Sequence, residues 1–176
     1  MRSLNRCFGF FNRISCDFRK IKTKSALIVS VIYFVLGLLI WIFGGSVHRV
    51  LLIYVFPKSA IPLGIMYILW GISFLICGFI LGALLFNYDK YKKQYSYKIS
   101  ALLVIMQLFT FIAYPLFFGA NSPFVSFLSY VIALIFCFFA ISFSIKIYSL
   151  WSICLILHFV WLLYNAYIAL AFSMIN

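Results

Sequence analysis

Residues 63–86 read LGIMYILWGISFLICGFILGALLF, without a charged side chain. That run is longer than the roughly 20 apolar residues an α-helix needs to cross a hydrocarbon core about 30 Å thick. Inside that core a chain must satisfy its own backbone hydrogen bonds, so the run reads as a transmembrane helix. Working outward, comparable apolar stretches occupy 25–43, 100–118, 124–144 and 150–172. The stretch 50–56 is apolar too, but too short to cross a bilayer. It is expected at the interface or folded back over the helices.

Composition agrees with this reading. Of 176 residues, 67% are hydrophobic and 9% are charged, with a mean hydropathy of +1.18. A soluble surface of this size needs far more charge. The expectation is one all-α membrane domain of five transmembrane helices over 25–176, preceded by a basic segment over 1–24.

Fourteen basic residues face two acids, Asp17 and Asp89, for a net charge of +12. The charge lies in short segments between apolar runs rather than on one soluble face. No nucleic-acid partner is therefore expected, and the partner of that charge is the lipid bilayer. Residues 1–24 hold Arg2, Arg6, Arg13, Arg19, Lys20, Lys22 and Lys24. The second connection, 87–98, holds Lys90, Lys92, Lys93 and Lys98, and the fourth holds Lys146. The opposite side has only Arg49 and Lys58. A split of 12 against 2 predicts a cytoplasmic N-terminus by the positive-inside rule. A cell (inner) membrane fits this bias, with an organelle membrane as the alternative. Within 1–24, Leu4, Phe8, Phe11, Ile14, Phe18 and Ile21 recur at steps of three and four. That pattern fits a basic amphipathic surface helix, a plain basic tail, or an organelle presequence.

The cysteines Cys7, Cys16, Cys77, Cys137 and Cys154 form no C-x-x-C pair. They read as small buried hydrophobes, with acylation conceivable at Cys7 and Cys16. No metal site is expected.

Four short motifs stand in order along the chain. The first loop ends Phe56-Pro57-Lys58-Ser59-Ala60-Ile61-Pro62, and the second span carries Trp70, Phe74 and Gly78 at steps of four. The third span ends Pro115-Leu116-Phe117-Phe118-Gly119, and the fifth carries Trp161 and Tyr164 with a terminal Asn176. In this the chain resembles the TspO/MBR family of translocator and tryptophan-rich sensory proteins. That family carries a K-P-S-W-T-P-P-like run, a W-x-x-x-[YF]-x-x-x-G pattern, a W-S-P-L-F-F-G-like run and a W-x-x-[YF]-A-x-x-L-N pattern at these places. The resemblance covers roughly 37–176. It implies a five-helix bundle of TspO/MBR type with a cavity between the helices, open toward the first loop. The chain also departs from the pattern. The family's third-span Asn and Trp fall on Thr110 and Ala113, with Tyr114 beside the latter. In the fifth span the family's Pro falls on Leu157, its Ala on Asn165 and its Asn on Ala169.

The resemblance implies a binding or transport site for a hydrophobic small molecule, of tetrapyrrole or sterol type. Its lining would include Pro62, Trp70, Phe74, Thr110, Tyr114, Phe117, Phe118, His158, Trp161, Tyr164 and Asn165. Trp70 and Phe74 share one helix face, and Trp161 with Tyr164 would form the opposite wall. No resident cofactor is expected, although a porphyrin or haem is a candidate ligand. His158 has two readings, a ligand to an iron porphyrin and an interhelical hydrogen bond. Gln107 has the second.

No Asp or Glu lies in any span, so ordinary acid–base catalysis has no intramembrane base, and an enzyme is not expected. Two alternatives to the carrier remain. One is a protein assisting oxidative breakdown of a bound porphyrin, which needs no such base. The other is a structural or assembly protein that kept the fold without the ligand. Gly64, Gly71, Gly78 and Gly82 include a G-x-x-x-G pair, read as close packing inside the bundle or a homodimer contact. The loose L-x-x-Y-x-K match at Leu85–Lys90 carries no weight as a sterol motif.

Overall fold

The computed structural model describes residues 23–45, 50, 55, 57–86, 93–145 and 149–176. The basic segment up to residue 22, His48, Arg49, Phe56, the 87–92 connection and Lys146 lie outside the described residues. So do the readings that rest on them.

Five helices account for almost all of the described chain: α1 (Thr23–Phe43), α2 (Leu63–Phe86), α3 (Lys93–Phe118), α4 (Pro123–Ile145) and α5 (Ser149–Ile175). There is no strand among the described residues. The shortest helix has 21 residues and the longest 27. At about 1.5 Å per residue each is long enough to cross a bilayer. All five are apolar enough to do so, and the chain is a multi-pass membrane protein.

Local signals explain the helix ends. The carbonyl of Pro62 accepts from the amides of Ile65 and Met66, which starts α2. Proline suits a helix start because its missing N–H has no partner there anyway. Pro123 is itself the first residue of α4, and the Ser122 carbonyl before it accepts from the Ser126 amide. Helix α3 stops where the Gly119 and Ala120 amides both turn back to the Pro115 carbonyl, and Asn121 adopts a left-handed φ of 51°.

Helix α3 begins at Lys93, inside the stretch read as a polar connection from 87 to 98. Polarity marks where hydrocarbon ends, not where a helix must. The exposed first turns carry Lys93 5.9 Å from the Tyr97 ring and Lys98 6.0 Å from the Tyr95 ring. These pairs suit an aqueous boundary, where amphipathic side chains keep the charge in water and the stem on apolar surface.

The helices form a ring in the order α1, α2, α5, α4, α3, closing from α3 back to α1, with α2 also leaning across onto α3. Three hairpin-like contacts, α1 on α2, α3 on α4 and α4 on α5, dominate the packing. Helix α1 is peripheral, burying only Ala26, Ser30 and Gly37. Its seam with α2 is set by the glycine pair. A Cβ placed on Gly78 would stand 2.7 Å from Ser30 Cα, and one on Gly82 2.7 Å from Ala26 Cα. Backbone meets backbone there, and Ser30 Oγ donates to the Leu75 carbonyl at 2.6 Å across the seam. The G-x-x-x-G pair thus serves packing within the bundle. Around the outside, residues such as Ile28, Ile68, Ile112, Phe138 and Leu157 stay exposed and form the lipid-facing belt.

Candidate functional site

Near the end of the bundle where α1 and α3 finish, α2, α3, α4 and α5 enclose a small cavity. Its wall from α2 is Leu63, Met66, Tyr67 and Trp70, and from α3 Tyr114, Phe117 and Phe118. Helix α4 adds Tyr130, and α5 adds Asn165, Ile168, Ala169 and Phe172. These contributions follow helical arithmetic: residues three, four and seven apart share a face.

The rings form a connected aromatic wall. Trp70 lies 5.0 Å from Tyr114 and 5.4 Å from Phe74, centroid to centroid. Tyr114 contacts Phe118 at 4.6 Å, Phe118 contacts Phe117 at 4.7 Å, and Phe117 meets Phe172 edge-on at 4.9 Å. Tilted and edge-on pairs of this kind are the favoured aromatic geometry.

One polar contact crosses the cavity. Trp70 Nε1 donates to Asn165 Oδ1 at 3.0 Å. The Asn165 amide is fixed from its other end, since Nδ2 donates to the Trp161 carbonyl at 2.7 Å. The cavity therefore offers mostly flat apolar faces, with the buried Tyr114 hydroxyl left without a hydrogen-bond partner among the described residues. Among the described residues no charged side chain lines it.

Its volume is about 40 Å³. That holds a water or two, whereas small-molecule sites usually occupy about 300–1,000 Å³. A tetrapyrrole fits only if aromatic side chains move.

The first loop is strapped over this end. Val55 N–H donates to Asn176 Oδ1 at 2.9 Å, and Asn176 Nδ2 returns a longer bond of 3.3 Å to the Val55 carbonyl. The Ser59 and Tyr167 hydroxyls pair at 2.8 Å, and Ile61 N–H donates to the Tyr164 hydroxyl at 2.7 Å. Ala60 packs on the core beneath.

Of the residues singled out from the sequence, Trp70, Tyr114, Phe117, Phe118 and Asn165 meet at the cavity. The others lie elsewhere. Pro62 starts α2. Tyr164 holds the strap. Trp161 is half-buried, stacks on Tyr164 and supplies its carbonyl to Asn165. Phe74 lies on the α1 side, where it touches Phe111 at 5.2 Å and fills the space left by Gly37. Thr110 returns its hydroxyl to the Met106 carbonyl of its own helix. His158 is buried in the bundle and pairs through Nδ1 with Ser73 Oγ of α2 at 2.7 Å. That is an interhelical hydrogen bond; His158 Nε2 and both ends of the Gln107 amide find no partner among the described residues.

Sequence reading missed Tyr67, Phe172 and Tyr130. Tyr67 lies three before Trp70, and Phe172 seven beyond Asn165, so face arithmetic would have found both. Tyr130 has no such signal, because nothing in the sequence says which face of α4 turns inward. Ala169 shares the face of Asn165 and does reach the cavity. The described residues bring together no group of three His, Cys, Asp or Glu suited to a metal.

No protein-family model matches the chain, and no curated protein matches it.

Proposed function

We propose that this chain is a divergent TspO/MBR-type membrane protein that binds or carries a hydrophobic ligand of tetrapyrrole or sterol class between its helices. The observation that carries this reading is convergence. Five of the eleven residues singled out from the sequence, Trp70, Tyr114, Phe117, Phe118 and Asn165, come from three separate spans and surround one apolar cavity at the first-loop end. Aromatic faces supply contact area to a flat ring system, and the Trp70–Asn165 pair and the buried Tyr114 hydroxyl offer polar handles. The strap formed by Val55, Ser59 and Ile61 acts as a lid. On the same reading the protein sits in a cell membrane with its N-terminus in the cytoplasm, as the 12-to-2 charge split favours.

A second reading has its own support. The 40 Å³ cavity is far below ligand size, which favours a structural or assembly protein that kept the fold without the ligand. One titration separates the two. Protoporphyrin IX, haem and a sterol are added in turn to purified protein while tryptophan fluorescence is followed. The carrier reading predicts saturable quenching by at least one of them, weakened tenfold or more in Trp70→Ala. Absence of saturable binding to all three sinks it and leaves the structural reading.

A further inference from the structure

A second space lies against the outside of the same wall. It is a groove of about 310 Å³ between α1 and α2, with Phe34, Leu38 and Trp41 on one side and Ile68, Gly71 and Phe74 on the other. Its mouth opens on the lipid-facing surface, where Ile68 is 63% and Ile72 47% exposed. Among the described residues only two line both spaces, Tyr67 and Trp70. The partition between bilayer and interior is therefore a single layer formed by these two side chains. Tyr67 leans on Trp41 of α1 at 4.4 Å, and Trp70 is tied inward by its single hydrogen bond to Asn165.

We infer that the hydrophobic ligand reaches the cavity sideways from the bilayer, along the α1–α2 groove, and that Trp70 is the gate, held shut by Asn165. This rests on the ligand-binding reading above. Three observations carry it. A tetrapyrrole or sterol partitions into hydrocarbon, and the groove opens on hydrocarbon. Opening the loop end breaks the four strap hydrogen bonds to Asn176, Tyr167 and Tyr164, whereas turning Trp70 breaks one. Once Trp70 turns, groove and cavity join into a space within the usual range for small-molecule sites, about 300–1,000 Å³. Asn165 stands where the family resemblance expects alanine, so the latch belongs to this chain rather than to the shared pattern.

The test uses full-length protein in phosphatidylcholine vesicles loaded with protoporphyrin IX, read by stopped-flow tryptophan quenching. Gly71→Leu fills the groove; a Cβ there stands 3.1 Å from the Phe34 ring, and Gly71 does not line the cavity. Association and dissociation should both slow tenfold or more, with Kd unchanged. Asn165→Leu removes the latch and should speed both rates. Asn176→Ala, which loosens the strap, should alter neither. The opposite pattern, rates sensitive to Asn176→Ala and indifferent to Gly71→Leu, overturns the lateral path.

A ligand-free arm keeps the gate testable if protoporphyrin IX, haem and a sterol all fail to bind, an outcome that would sink the binding reading alone. With Trp41, Trp151 and Trp161 replaced by Phe, Trp70 emission should be quenched by lipids brominated at mid-chain. The quenching should rise in Asn165→Leu and fall in Gly71→Leu. No quenching overturns the proposal. So does quenching with ligand rates indifferent to Gly71→Leu, which would make the groove a seat for a lipid acyl chain only.

Discussion

Substituting Gly78 by valine tests the seam that positions the whole α1–α2 face. A Cβ at residue 78 would lie 2.7 Å from Ser30 Cα, 2.8 Å from Tyr33 Cβ and 3.0 Å from the Val29 carbonyl oxygen. Ordinary carbon contacts fall at about 3.5–4.0 Å, so α1 must retreat by about 1 Å. None of the three atoms is the tip of a flexible side chain, so the helix moves as a body. Overpacking of this kind costs about 1–3 kcal/mol. The retreat also stretches the 2.6 Å bond from Ser30 Oγ to the Leu75 carbonyl, and an interhelical bond in a membrane contributes about 0.6 kcal/mol on average. The expected loss is about 2–3 kcal/mol, read by reversible unfolding in mixed micelles. Gly64→Val is the control, because nothing lies within 4 Å of a Cβ there; it should shift stability by less than about 0.5 kcal/mol. Equal effects at residues 64 and 78 would refute the packing argument.

Two further outcomes follow from the same structure and a third from the charge split. Tyr164→Phe removes the acceptor of the Ile61 amide, so hydrogen exchange at Ile61 should accelerate while the core of α4 keeps its protection; unchanged exchange would mean the strap is not held there. His158→Leu alone leaves Ser73 unpaired and should destabilise, whereas Ser73→Ala with His158→Leu should recover part of the loss, a coupling of about 0.6–2 kcal/mol in a double-mutant cycle. A single cysteine introduced at Lys92 should react with a membrane-impermeant maleimide only from the cytoplasmic side; labelling from outside would reverse the orientation drawn from the charge split.

The membrane helices were legible because hydrocarbon imposes length and apolarity on every span, as in the uncharged run from Leu63 to Phe86. The helix ends were less legible. Lys93 to Lys98 look like a loop by composition, yet a helix can run on into the interface. At the site, Trp70, Tyr114, Phe117 and Phe118 were found through the resemblance, and spacing alone would have added Tyr67 and Phe172. The strap was out of reach. Asn176, Tyr167 and Tyr164 meet Val55, Ser59 and Ile61 across more than 100 residues, and no local pattern encodes that pairing. The direction of Asn165 was equally hidden. Its position showed a polar group on an inward face, while its partner, Trp70 Nε1, appears only once α2 and α5 are set side by side. Burial of the G-x-x-x-G pair against α1 likewise depended on which helix took the neighbouring place.

The account turns on whether a hydrophobic ligand occupies the space beneath Trp70. Ala169 lines that space and is itself buried, so Ala169→Phe fills the cavity, while Ile112→Phe adds the same ring on the lipid-facing side of α3, where Ile112 is exposed. Protoporphyrin IX titrated against both variants and the unaltered protein measures the claim most directly. Saturable binding that survives Ile112→Phe and is lost in Ala169→Phe is the predicted result. Binding that Ala169→Phe leaves unchanged would contradict the account.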